Sequence, residues 1–470
     1  MEKNMFKGEY KEIKFFYSPL YFALLGGVTF LLWLVDMITQ SANGAVIAFT
    51  LLFVLLGVNF ALCRDLSSTV IFPFVIPLAV YKTAMTSYGL YFYGVGIALL
   101  AIGVVIHIIR FRPFTQVFKT KPRLFTIGTL VFFFAIIISG ITVHERETLV
   151  VLAITGIILL LSLESLANSV NLGRDGAERT LNLAMVAVIT ASLLATAQFV
   201  AQIATPETFT KFFAEKSLSG QASPNQYANL MARSLPILFY LSAKKKKWSF
   251  LWLIPTLLML GVIALTNSRA TILFVAIFTV GAVVVCMIKT PRKIAWIVTF
   301  VVICGLAVGL AAIKGDFLKK IFSVTLDRGF NDSERFDVWA LGWKRFILYP
   351  VFGHGFDYDM SGIVHSRFAP YYYHNTLVQT LATMGIFGCF AFGFYMFSGT
   401  KTIIESKNVK AYVIGIILGL IFAISLLDIH FYSPQSLWQE ITLVMCCYAI
   451  KPAKKEPEPA PQTQTQPEIS

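Results

Sequence analysis

Charged residues are scarce, at 14% of 470, while 57% are hydrophobic and the mean hydropathy is +0.72. That scarcity excludes an ordinary soluble domain, in which about a quarter of residues are charged. Cysteine is scarce as well: the six residues Cys63, Cys286, Cys304, Cys389, Cys446 and Cys447 all sit in or at the ends of apolar runs. Neither a disulfide framework nor a zinc-ligand spacing can be drawn from them. Alternating segments of ~10 residues are missing, which excludes a strand barrel. No small-residue cleavage site follows the first apolar run, so it reads as a retained helix and not as a removed signal peptide.

What is present is a succession of apolar runs, each near the ~20 residues needed to cross ~30 Å of hydrocarbon. They predict an all-α, polytopic membrane protein with about 12–14 transmembrane helices. The candidate spans are about 18–36, 44–63, 69–83, 87–110, 123–142, 147–168, 180–204, 225–243, 248–265, 270–288, 294–313, 374–397, 409–427 and 434–450. The third is short and contains Pro73 and Pro77, which points to a broken or re-entrant segment. The chain divides into a cytoplasmic N-terminus 1–17, N-terminal helices 18–204, a catalytic region 205–397 with an extracytoplasmic loop 314–373, C-terminal helices 398–450 and a tail 451–470. The tail is rich in Pro, Glu and Gln and reads as disordered.

The excess of 39 Lys and Arg over 25 Asp and Glu gives a net charge of +14. It is spread over Lys3, Lys7, Lys11 and Lys14, RFRPFTQVFKTKPR, KKKK at 244–247, IKTPRK, ESKNVK and KPAKK. With fourteen spans all of these fall on one side, so the positive-inside rule makes both termini cytoplasmic and places loop 314–373 outside. Charge dispersed in this way serves topology and contact with anionic lipid, not nucleic-acid binding.

Polarity that topology does not require appears at three places on the outer side. In SPNQYANLMAR, Asn225, Asn229 and Arg233 recur every fourth residue, so a helix presents them as one stripe descending into the membrane. An Arg at that depth costs ~2.5–3.5 kcal/mol unless it faces a partner or a wet cavity, and a neighbouring helix is one such partner. In ALTNSRAT, Arg269 ends a tight outer turn against the charge rule, where a snorkelling turn residue is the plainer account. In NDSERFDVWALGWKRFILYP, a helix capped by Asn331, Asp332 or Ser333 is expected to stop before Pro350. Phe336, Trp339, Trp343 and Ile347 share one face of it, as in a helix lying at a membrane interface, and Arg335 lies in its first turn off that face.

Beyond Pro350, Gly353 and Gly355 permit a tight turn. His354, Asp357, Asp359 and His365 are imidazole and carboxylate groups, but their spacing matches no strong metal motif, so neither a metal nor a cofactor is assigned. The stretch YYYHNTLVQTLATMGIFG then opens a membrane span, with Tyr373, His374 and Asn375 at its water end. Guanidinium groups pair bidentately with phosphate oxygens, and a neutral imidazole accepts a proton near pH 7. Together they suit transfer from a lipid diphosphate donor to a hydroxyl.

From about Gly220 to Gly388 the chain resembles the O-antigen ligase and O-antigen polymerase family. The matching motifs are SPNQYAN at 223–229, LTNSR at 265–269, RFDVW at 335–339 with YPVFGHG at 349–355, and His374–Asn375 followed at nine residues' distance by Gly385 and Gly388. The resemblance implies a C-type membrane glycosyltransferase acting on an undecaprenyl-diphosphate-linked glycan at the outer face of a bacterial cytoplasmic membrane. It implies His374 as base on the acceptor hydroxyl and Arg269 and Arg335 as the diphosphate-binding pair, with Arg233 competing with Arg269 for the first arginine position. Substrate contacts are expected from Asn225, Asn229, Asn375, Trp339 and Tyr373. The acceptor is a hydroxyl of a glycan, a lipid or a protein, which separates polymerase, ligase and protein O-oligosaccharyltransferase. A flippase or exporter of lipid-linked glycans is the competing class, but it does not call for a structured outer loop bearing Arg and aromatics.

Overall fold

The computed structural model describes residues 13–79, 87–111, 124–141, 174–215, 223–244, 247–266, 268–289, isolated positions between 294 and 305, 333–355, 373–428 and 434–448. Expected spans 147–168 and, for the most part, 294–313 lie outside these residues, as do Asn331, Asp332, Asp357, Asp359, His365 and the tail. Among the described residues the chain is helical, without strands. The helices are α1 Pro19–Thr39, α2 Asn43–Leu62, α3 Ser87–Phe111, α4 Leu124–Ile141, α5 Arg174–Gln202, α6 Pro206–Glu215 and α7 Pro224–Ser242. They continue as α8 Leu253–Leu265, α9 Arg269–Lys289, α10 Ser333–Leu348, α11 Thr376–Glu405, α12 Val409–Ser425 and α13 Pro434–Tyr448.

Six of the described helices are long and apolar enough to cross a membrane, and four further apolar segments are shorter. The outward faces confirm lipid as the solvent. Along α1, Leu20, Leu24, Leu31 and Val35 are exposed, whereas Thr29 and Asp36 on the inward side are buried. Water would invert that pattern, but acyl chains are as apolar as leucine. The protein is an all-α polytopic membrane protein.

Close backbone approach, not bulky packing, joins α2 to α3. A Cβ on Gly103 would lie 2.2 Å from the carbonyl oxygen of Gly57, so neither position tolerates a side chain without separating the helices. The α1–α2 turn is held electrostatically. The buried Asp36 carboxylate accepts from the amides of Gly44 at 2.6 Å and Ala45 at 2.5 Å, and from the Ser41 hydroxyl at 3.0 Å. Those amides open α2 and have no partner within it, and a negative charge there also opposes the helix dipole favourably.

The segment Leu66–Ala79 is broken as its prolines require: 3-10 turns at Leu66–Ile71 and Ile76–Ala79 flank a single α turn at Phe72–Val75. Irregular backbone at membrane depth must find partners in protein. It does so here: Gln439 donates to the Pro73 carbonyl at 2.8 Å and Gln198 to the Leu78 carbonyl at 2.7 Å.

In the rest of the bundle, α7 packs against α5, α8, α9 and α12, and α11 packs against α4, α10, α12 and α13. Helix α12 is thereby shared between the two groups, and its C-terminal end is where the candidate site forms. Removing the α2 cap with Asp36→Ala is expected to cost about 1–2 kcal/mol, the range for a lost charged N-cap. Thermal unfolding of the purified protein in detergent should show the lowered midpoint, with Asp36→Glu less affected.

Candidate functional site

The start of α11 is built from local hydrogen bonds. Asn375 is its N-cap: its side-chain oxygen accepts from the amides of Leu377 at 2.8 Å and Val378 at 3.1 Å. Its amide nitrogen donates across to the Leu426 carbonyl at 2.8 Å, beyond the end of α12. The Tyr373 amide on the other side donates to the buried Gln379 side chain at 3.0 Å. Between these two anchored residues His374 adopts a left-handed backbone, φ 50°. That conformation is uncommon for a residue with a Cβ and persists where its neighbours dictate it.

The His374 ring meets Asp428, with Nδ1 3.2 Å from the carboxylate oxygen and side-chain exposures of 21% and 9%. A carboxylate accepts, so Nδ1 carries the proton and Nε2 is the basic nitrogen. Arg335, in the first turn of α10, donates to the Leu427 carbonyl at 2.6 Å. Three consecutive residues, 426 to 428, thus receive Asn375, Arg335 and His374 in turn. The carbonyls that end a helix lack intrahelical partners and carry its negative pole, which is why a guanidinium and an amide settle there.

The glycines that follow serve a second joint. At Gly385, φ is 63° and α11 is opened, so the carbonyls and amides around it leave the helical ladder. The segment 350–355 supplies their partners. His354 and Gly355 donate to the carbonyls of Ala382 and Thr383, both at 2.9 Å, while Ile386 and Phe387 donate to those of Pro350 at 2.9 Å and Val351 at 3.1 Å. The approach leaves no room for a side chain. A Cβ on Gly385 would lie 2.5 Å from the Val351 carbonyl oxygen, and one on Gly353 (φ 74°) would lie 2.2 Å from the Thr383 carbonyl carbon. The YPVFGHG and His374-to-Gly388 motifs are therefore two halves of one backbone joint. His354 lies against Arg345, whose guanidinium is 2.8 Å from Nε2, and against the Tyr349 ring.

Tyr373 is buried with Val338 and Ala382 where α10 meets α11, and Gly342 lets the two helices close there. Trp339, expected on the exposed aromatic face, is half-buried and its indole N–H is buried without a hydrogen-bond partner among the described residues. Phe336, Trp343 and Ile347 remain exposed.

The other expected residues lie on α7 and at the start of α9, two helices that both pack against α12. Asn225 is half-buried in the first turn of α7, behind a capping box formed by Ser223 and Gln226. Asn229 accepts from Thr271 at 2.8 Å, which ties α7 to the start of α9, where Arg269 stands half-buried. Arg233 is 2% exposed, donates to Gln439 and faces the buried Glu440, so its charge is engaged with α13 inside the bundle.

Asp428, Gln379, Gln439 and Glu440 were not singled out in the sequence. Asp428 had one available signal, an acid directly after the apolar run of α12. A left-handed histidine held between two capped residues, with a carboxylate on one nitrogen and a guanidinium on the same helix end, can take a proton from a hydroxyl next to a bound anion.

Gly353→Ala and Gly385→Ala are each expected to cost about 1–3 kcal/mol through the left-handed conformation alone. The double variant should cost less than the sum, since both open the same joint, with a coupling of about 0.5–3 kcal/mol in a double-mutant cycle of denaturation in mixed micelles.

A family model described as O-antigen ligase matches residues 254–393, a stretch that contains Arg269, α10, segment 350–355 and the start of α11 through Gly388. Asn225, Asn229, Arg233 and Asp428 fall outside it. No curated protein matches the chain.

Proposed function

We propose, for a chain placed in the O-antigen ligase family by its residues 254–393, that the outer end of α11 and α12 is the active site of a glycosyltransferase using a polyprenyl-diphosphate-linked glycan. The convergence of Arg335, His374 and Asn375 on residues 426–428 carries this reading. The general role, an O-antigen ligase-like part in polysaccharide biosynthesis, follows from the family.

In the proposed step the acceptor hydroxyl oxygen attacks the anomeric carbon of the donor glycan. As that C–O bond forms, Nε2 of His374 takes the hydroxyl proton, and the bond from the anomeric carbon to the diphosphate oxygen breaks. The electron pair leaves with the polyprenyl diphosphate, whose growing charge Arg335 and Arg269 stabilise. Asp428 holds His374 in the reactive tautomer and balances the imidazolium that forms. The imidazolium then releases its proton to solvent or to the departed diphosphate. Arg233 is assigned to holding α7 to α13, since its partners lie within the bundle. Asn225, Asn229, Trp339 and Tyr373 remain proposed substrate contacts.

The decisive assay uses purified protein, a lipid-diphosphate oligosaccharide and candidate acceptors. His374→Ala is expected to lose about 10²–10⁴-fold in rate, the span of general-base contributions, and Arg335→Ala a comparable amount. Asp428→Asn should reduce kcat while leaving KM for the donor nearly unchanged, because Asp428 acts through His374. Full activity in both His374→Ala and Arg335→Ala would overturn the reading. A ladder of repeat units among the products identifies a polymerase, and a single transferred block identifies a ligase. Activity should persist in EDTA.

A further inference from the structure

The exposed apolar face of α10 does not end with the helix. Phe336, Trp343 and Ile347 are 60%, 54% and 60% exposed and share one side at helical spacing, while Val338 and Gly342 on the opposite side are buried against α11. Leu348, Tyr349, Val351 and Phe352 continue the exposed strip into the segment that docks at Gly385. There it meets α11 itself: the Phe352 and Phe387 rings lie 5.7 Å apart, and Ile386 and Phe390 are exposed beside them.

The level of that meeting is set by the sequence of α11. Its first two turns keep Thr376, Gln379, Thr380 and Thr383 buried against the protein and expose Leu377, and an apolar run starts at Met384. At ~1.5 Å per residue, the step from Thr376 to Gly385 is about 14 Å along the axis. Segment 350–355 is thus fastened to α11 about 14 Å along the axis from the end that carries His374, beside the exposed Ile386 and Phe390. Lys344 is exposed beside the strip and supplies a positive charge of the kind that anionic headgroups attract.

We propose that α10 and segment 349–352 are inserted as a shallow hairpin into the leaflet that meets the start of α11, with the strip from Phe336 to Phe352 in contact with lipid. The occupant is the bilayer because the strip is continuous with the lipid-facing side of a membrane-spanning helix. A lid facing water would leave a row of aromatic and aliphatic groups hydrated, which is unfavourable by ~25 cal/mol per Å². Resting on the function proposed above, this arrangement fixes Arg335 and His374 at headgroup height. A diphosphate borne on a membrane lipid reaches them without leaving the bilayer.

The test reads depth, not activity, so it is independent of whether the glycosyltransferase reading holds. Ile347→Cys, Val351→Cys and Lys344→Cys variants of the full chain are spin-labelled in vesicles of phosphatidylethanolamine and phosphatidylglycerol. The unsubstituted chain, labelled in parallel, gives the native-cysteine background. Oxygen, which concentrates in hydrocarbon, and a water-soluble nickel chelate are used as colliders. The expected result is an oxygen-to-nickel ratio several-fold higher at positions 347 and 351 than at 344. Ratios at 347 and 351 equal to that at 344 would show a water-facing lid and overturn the proposal. Low collision with both reagents would show a protein partner covering the strip, and would overturn it equally.

Discussion

Backbone groups cannot be left unpaired where water is absent, and the end of this protein where α10, α11 and α12 meet is organised by that constraint. Opening α11 at Gly385 releases carbonyls and amides just where the helix becomes apolar, and segment 350–355 takes up all four of the bonds that tie it there. Because that segment ends α10, the joint also sets where α10 lies. Arg335, at the other end of α10, is placed against Leu427 as a consequence. The glycines of the site are therefore mechanical parts: they let two backbones touch, and the touching positions Arg335, 18 residues before Gly353 and 50 before Gly385.

The same constraint operates at helix ends. Residues 426–428 follow α12, whose last carbonyls lack helical partners, and Asn375, Arg335 and His374 all address that short stretch. Between α7 and α13, Arg233, Gln439 and Glu440 hold polar groups inside the bundle, and Gln439 reaches the irregular backbone at Pro73. The first cluster lies where a helix stops, and the second links the interiors of α7 and α13 to the broken segment at Pro73. Helix interiors elsewhere contribute glycine contacts and lipid-facing aliphatics.

Much of this was legible along the chain. Helix positions followed apolar run length, and the break near Pro73 and Pro77 followed from the missing amide hydrogens. Asn375 could be placed at a helix mouth from its position before an apolar run, and the stripe Asn225, Asn229, Arg233 from its spacing. What Gly385 does was not legible, since a glycine inside an apolar run reports freedom and not the partner that exploits it. Asp428 was hidden for a related reason: an acid at a span boundary reads as a surface residue until the helix that covers it is known. Trp339 shared a predicted face with Phe336, Trp343 and Ile347, but periodicity assigns a face only to within a residue or so, and Trp339 is half-buried with its indole N–H buried.

By itself the sequence determined the class of the protein, a helical bundle with lipid as solvent, because hydrophobic run length and the near absence of charge leave no other way to satisfy the backbone. It also determined which residue types could handle an anion and a proton. Only the tertiary structure decided which of them meet. His374 with Asp428 and Arg335 with Leu427 are separated by 54 and 92 positions, and pairings at such distances depend on how helices pack. Packing is a property of shape and depth shared among helices, so no stretch of the chain records it alone.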